Sequence, residues 1–166
     1  MRIIRVYKIK NDKNFRDLLS AEMLLIYDIG VATGLRISDI IDLKIETALK
    51  PRPYILQKKT NKRKRIFLSE NIRKRVKAIS KLSNNEYLFY SSRTQTGHLS
   101  RQAVYCAFKK VADLLEIQHP IGTHCMRKKY ASEKMRRSKG DLVKTQKALQ
   151  HESISDTALY IYDASR

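Results

Sequence analysis

The sequence predicts an α+β domain, mostly helical, built around one small antiparallel β-sheet. Three observations predict it. Apolar residues recur at helical spacing through most of the chain. Two short β-prone runs flank a polar, basic stretch in the one region where closely spaced prolines forbid helix. Hydrophobic residues make up 42% of 166 positions with only 5 Gly and 3 Pro, enough apolar material for a core and too few breakers for disorder. One domain fits this length and would bury roughly two thirds of its unfolded surface.

Phe15, Leu18, Leu19, Met23, Ile26, Tyr27 and Gly30 share one helical stripe, widened by Leu24 and Leu25. One largely buried helix is expected over 15–34, stopped by Thr33-Gly34. A second starts near Ser38, a good N-cap residue, with Ile37, Ile40, Ile41 and Leu43 as its apolar side and Arg36 at its entrance. Pro51 and Pro53 then exclude helix, and Tyr54-Ile55-Leu56 and Arg65-Ile66-Phe67-Leu68 read as the strands of a hairpin with a basic tip. Helices follow from Ser69 to about Leu82, from Ser100 to about Ile117 and from Thr123 to about Arg137. Gly140-Asp141 restarts the chain for Leu142 to Leu149, and Ser155 opens a short last helix through Tyr162.

Charge sets the class of partner. Against 35 Lys+Arg stand 16 Asp+Glu, a net charge of +19 that repels itself unless a polyanion neutralises it. Nucleic acid is the leading partner, and composition does not choose between DNA and RNA. No segment combines strong amphipathicity with bulky apolar anchors, and no signal peptide or membrane span is read. Cys106 and Cys125 are the only cysteines, too few for a disulfide framework, so a reducing compartment is expected. Cys125 reads as a small buried hydrophobe. His98 and His119 lie in loop-like stretches and carry no assigned role.

The chemistry-bearing residues come in a fixed order. Thr33-Gly34-Leu35-Arg36-Ile37-Ser38-Asp39 puts an arginine after a glycine turn, with a carboxylate three residues on that can orient its guanidinium. Lys59 lies in the hairpin tip. His124 and Arg127 are i and i+3 on one helix, near an N-terminus that favours an anion. His151 follows Leu149-Gln150, and Tyr160 stands nine positions beyond it.

This order resembles the tyrosine recombinase (phage integrase) family from about Asn14 to Tyr160, and the resemblance implies that family's catalytic-domain fold. It also implies roles. Arg36 matches the first catalytic arginine, with Asp39 at the supporting acidic position. Lys59 matches the hairpin lysine, His124 and Arg127 the His-x-x-Arg pair, His151 the late His/Trp position and Tyr160 the nucleophile. Gln150 stands where glycine is usual and Lys128 where His is frequent. Residues 1–166 are expected to be a single catalytic domain without the helical DNA-clamping domain that usually precedes it.

The implied reaction is site-specific DNA recombination: strand cleavage through a covalent 3′-phosphotyrosine, then religation to a partner strand. Arginine forks at 36 and 127 suit the nonbridging phosphate oxygens, and each could stabilise the transition state by ~3–4 kcal/mol. Lys59 is the expected acid toward the leaving 5′-oxygen, with Lys62 as its rival. His124 is the expected acceptor of the tyrosine proton and His151 a further hydrogen-bond donor to the phosphate. Tyr162 rivals Tyr160; apart from the resemblance, only its position nearer the chain end counts against it.

Lys58, Lys62, Arg63, Lys64 and Arg65 are expected to be phosphate-backbone contacts. No cofactor or metal is expected, because the Asp and Glu residues are scattered. Double-stranded DNA is the expected partner, with a monomer when free and a tetramer on DNA, in the cytoplasm of a bacterial or phage/mobile-element host cell. A type IB topoisomerase, whose site chemistry is similar, is one alternative, and a non-catalytic nucleic-acid-binding protein is another.

Overall fold

In the computed structural model, residues 12–82, 84–118 and 121–165 are described, the last four of them by backbone alone. His119 and the side chain of Tyr162 lie outside the described residues. The elements run α1 (Asp12–Asp17), α2 (Ala21–Thr33), α3 (Ile37–Ile41), α4 (Ile45–Ala48), β1 (Tyr54–Leu56), β2 (Arg63–Arg65), α5 (Glu70–Leu82), α6 (Arg101–Leu114), α7 (His124–Arg137), α8 (Leu142–Leu149) and α9 (Ile154–Ser165). The α+β class and the small antiparallel sheet are as the sequence predicts. No helix among the described residues is long and apolar enough to cross a membrane.

The expected single helix over 15–34 is two. Ser20 Oγ accepts the Met23 N–H at 3.3 Å, so α2 is capped there and α1 ends just before it. Buried residues surround α2 on nearly every side, from Met23, Leu25 and Ile26 to Ile29 and Gly30. That is why a one-sided helical stripe did not reveal the break. Phe15 of α1, Tyr27 of α2 and Phe108 of α6 meet at ring-centroid distances of 5.6–6.0 Å and tie the two pieces into one core.

α7 packs closely on α2. A Cβ at Gly30 would lie 2.4 Å from Met126 Sδ, so only glycine permits this approach. Gly34 ends α2 in the left-handed conformation at φ 64°, and its Cα faces the Tyr130 ring so closely that a Cβ would be 2.3 Å from it. The helix that follows is entered at Arg36, not Ser38: Arg36 is extended at φ −73° and ψ 151°, and Ser38 already lies in the first turn.

The first strand of the hairpin lies where expected and the second lies two residues earlier. β1 pairs with β2 as Tyr54↔Arg65, Ile55↔Lys64 and Leu56↔Arg63, so the second strand begins at Arg63 rather than Arg65. A tight turn sets this register, with Asn61 in the left-handed region at φ 51° and the Gln57 N–H donating to Lys62 O at 3.0 Å. Beyond the strands, Ile66 N–H to Pro53 O and Leu68 N–H to Pro51 O continue the pairing at 3.0 Å each. Lys59 stays at the exposed tip.

Three helix ends also differ, one of them the end of α9, which runs to Ser165 and not Tyr162. α6 stops at Leu114, where Glu116 turns the chain at φ 52°. α9 starts at Ile154, with Ser153 Oγ accepting the Asp156 N–H at 3.0 Å. Ser69, Ser100 and Asp141 cap α5, α6 and α8 through side-chain oxygens, as their residue types predict.

Candidate active site

Four segments converge at one end of α7: the α2–α3 corner, the hairpin, the first turn of α7, and the α8–α9 link with α9. Arg127, on the inner face of α7, is only 3% exposed. Its Nη1 donates to Gly34 O and its Nη2 to Leu149 O at 2.5 Å, so one guanidinium joins the α2 corner to the end of α8. Burial and the nearby Arg36 guanidinium lower its pKa to about 10, and the residue remains charged at neutral pH.

Arg36 lies near enough to Arg127 for the two charges to repel. Its Nη1 is buried and has no hydrogen-bond partner in the protein. The sequence expectation that Asp39 orients this guanidinium is corrected: Asp39 Oδ1 accepts the backbone N–H of Lys58 at 3.0 Å, and Oδ2 is buried without a partner. Asp39 therefore fastens the hairpin next to Lys59 rather than the arginine. In the first turn of α3, the Asp39 carboxylate meets the backbone just past the end of β1, and the Lys58 N–H takes the oxygen the guanidinium was expected to hold.

His124 is exposed at the mouth of the site, at the first turn of α7. The packed atoms around its ring, then the charges of Arg127, Arg36, Lys128 and Lys59, push its pKa below the ordinary imidazole value. His151 is half-buried and lowered further, to about 4, first by burial and then by Arg127 and Arg36. Its Nδ1 lies 3.1 Å from Thr157 Oγ1, and its ring meets that of Tyr160 edge-on at 5.4 Å. Both histidines are neutral at pH 7 and can accept a proton.

The Tyr160 hydroxyl donates to the backbone carbonyl of His124 at 3.4 Å. Burial raises its pKa, partly offset by Arg127 and Arg36, so the phenol is protonated before reaction. Lys128 Nζ sits 5.5 Å from the centre of the same ring. Nothing in the sequence signalled that contact beyond helical spacing from His124. Cys125, by contrast, is buried as expected, and burial pushes its thiol up to about 12.

The hairpin cations divide. Lys62 and Arg63 are exposed, Lys58 pairs with Asp42 at 2.8 Å, and Arg65 lies 5.7 Å from the centre of the Tyr54 ring. Lys64 contradicts its expected role as a phosphate contact. Alternation along β2 turns it inward, where it is 7% exposed, donates to Thr33 O at 2.9 Å and lies 5.1 Å from the centre of the Tyr130 ring. It borders a cavity of about 300 Å³ with Tyr130 and Lys134.

Burial, then Arg127, Arg36 and Lys134, bring the Lys64 pKa down to about 7 from the ordinary 10.5. Between those values the unfolded chain binds more protons at this position than the folded one, so its contribution to stability grows as pH rises from 7 toward 10.5. Denaturant titrations at pH 7 and pH 9 should show that gain in the wild-type chain, and Lys64→Met should lack it.

A helical domain that gathers two arginines, two neutral histidines and a protonated tyrosine around one point, with a lysine-tipped hairpin alongside, has the layout of a DNA strand-transferring catalytic domain. The comparisons agree. The profile of the Phage integrase family matches residues 3–166, and the chain belongs to that family. It is 32% identical over 152 residues to the probable integrase/recombinase YoeC of Bacillus subtilis (strain 168), covering 90% of this chain and 79% of the relative. Its fold is similar to that of XerA recombinase, with a TM-score of 0.75 and 22% identity over 97% of this chain. It is also similar to lambda integrase (residues 75–356), solved as a dimer bound to a COC' core site, with a TM-score of 0.76, 18% identity and full coverage of this chain. The chain spans 60% and 62% of those two solved chains.

Proposed function

We propose that this chain is the catalytic domain of a site-specific DNA recombinase that cuts one strand through Tyr160 and rejoins it to a partner strand. One observation carries the reading: Arg36 Nη1 is a buried donor without a protein partner, beside Arg127, both histidines and the Tyr160 hydroxyl. A buried unpaired donor costs free energy that a phosphodiester oxygen would recover.

In this reading Arg36 and the remaining N–H groups of Arg127 hold the nonbridging oxygens and offset charge growing on phosphorus. The Tyr160 oxygen attacks phosphorus, its proton passes to neutral His124, and the bond to the 5′-oxygen breaks as Lys59 donates a proton to it. The product is a 3′-phosphotyrosine and a free 5′-hydroxyl. Attack by the 5′-hydroxyl of a partner strand reverses the step and restores the phenol. Neutral His151 hydrogen-bonds the phosphate.

Exposed Lys62 and Arg63 supply sequence-independent contacts to the duplex. Lambda integrase has been solved as a tetramer bound to a Holliday junction. By analogy with that assembly, this chain assembles as a tetramer on paired DNA sites. Neither DNA relaxation nor binding without catalysis has an observation specifically in its favour.

Incubation with a nicked suicide duplex, followed by a denaturing gel, tests the function. A covalent protein–DNA band is expected, and its absence at saturating DNA would reject the reading. A bridging 5′-sulfur leaves without a proton, so a duplex carrying it should restore cleavage to Lys59→Ala. Rescue confined to Lys62→Ala would move the acid to that residue.

A further inference from the structure

Three consecutive residues at the end of α8 each reach a different part of the site. Leu149 O accepts Arg127 Nη2 at 2.5 Å, Gln150 Nε2 donates to Arg63 O of the hairpin at 3.2 Å, and the His151 ring meets Tyr160. Gln150 spans 87 positions of sequence to make its bond. It does so from a strained backbone, since it ends α8 in the left-handed region at φ 53° and ψ 44°, where glycine is at ease and a long side chain is not.

Strain of that kind persists where something else compensates for it. Four non-glycine residues have positive φ among the described residues, Asn61, Glu116, Lys139 and Gln150. Of these, Gln150 alone uses its side chain to tie two separate parts of the site together. The link segment is itself well held: Gln146 Nε2 donates to His151 O at 3.2 Å and to Glu152 O at 3.3 Å. A rigid link bonded to the hairpin fixes the distance between Lys59 and the His151–Tyr160 segment.

We propose that Gln150 is a positioning residue that couples the hairpin carrying Lys59 to the segment carrying His151 and Tyr160. The proposal rests on the strand-cleaving reading for its catalytic consequence and on geometry alone for the coupling. Glycine and alanine at position 150 both remove the clasp, and only glycine also removes the strain. Gln150→Gly should therefore melt about 2–4 °C above Gln150→Ala, the shift that relief of one strained residue gives in a chain of this size. It should bind DNA within about twofold of wild type and yet cleave the suicide duplex at least about tenfold more slowly in single turnover, because misplaced groups slow chemistry steeply. Gln150→Ala keeps the strain and loses the amide, so it should be equally slow without the gain in melting temperature.

A second measurement does not depend on activity. Amide hydrogen exchange over residues 57–65 should quicken in both variants while α2 and α7 keep their protection. Wild-type cleavage rates in both variants, or unchanged exchange in the hairpin, would overturn the coupling. If the wild-type chain forms no adduct, the functional reading fails while the exchange experiment still decides the coupling.

Discussion

Tyr160→Phe should fold and bind DNA as the wild-type chain does but form no covalent adduct. The substitution removes one oxygen and no charge. The hydrogen bond it deletes, to His124 O at 3.4 Å, is long, so the loss in stability should stay below about 1 kcal/mol. The ring keeps its edge-on packing against His151 and its contact with Lys128. Cleavage has no comparable reserve. No other described side chain pairs a hydroxyl of this kind with the two arginines, and without a nucleophile the covalent route is closed. Circular dichroism, a filter-binding isotherm and a denaturing gel of the suicide reaction check the three parts separately. Tyr162→Phe should give the wild-type band.

The two arginines should differ when each is replaced by alanine, although both replacements should slow cleavage steeply. Losing either removes a charge-assisted contact made to the transition state, a cost of about 3–4 kcal/mol or 10²–10³ in rate. Stability separates them. Arg127 satisfies the carbonyls of Gly34 and Leu149 from a buried position, so Arg127→Ala should also lower folding free energy by about 3 kcal/mol. Arg36 leaves Nη1 unpaired and presses its charge against Arg127, so Arg36→Ala should leave stability unchanged or raise it. Urea denaturation alongside single-turnover cleavage reads both effects. Equal destabilisation by the two variants would show that the site is not divided into a structural and a free arginine.

Much of this was legible in the sequence because the determinants are local. Caps at Ser69 and Ser100, a hairpin after Pro51 and Pro53, and the His-x-x-Arg spacing each depend on a few adjacent residues, and the structure shows each of them, with only the hairpin's second strand moved. Order along the chain likewise brought Arg36, His124, Arg127, His151 and Tyr160 to one point. What escaped depends on the third dimension. Lys64 looks like any other cation in Lys62-Arg63-Lys64-Arg65 until strand register decides which side chain turns inward. A one-residue change in register would have exposed it and buried its neighbours. Sequence spacing points Asp39 to the arginine three residues before it, whereas in space the Lys58 N–H is its partner. The break at Ser20 was hidden because α2 is buried on nearly every side, leaving no polar face to mark where the stripe changed.

The central claim is that Tyr160 becomes bonded to the 3′-phosphate of a cut DNA strand. Trapping the wild-type chain on a nicked suicide duplex, digesting protein and DNA, and sequencing the modified peptide by mass spectrometry tests it most directly. The expected product carries a nucleotide remnant on the Tyr160 phenol, joined through its 3′-phosphate. A remnant on Tyr162 or on any other residue, or a linkage through a 5′-phosphate, would contradict it.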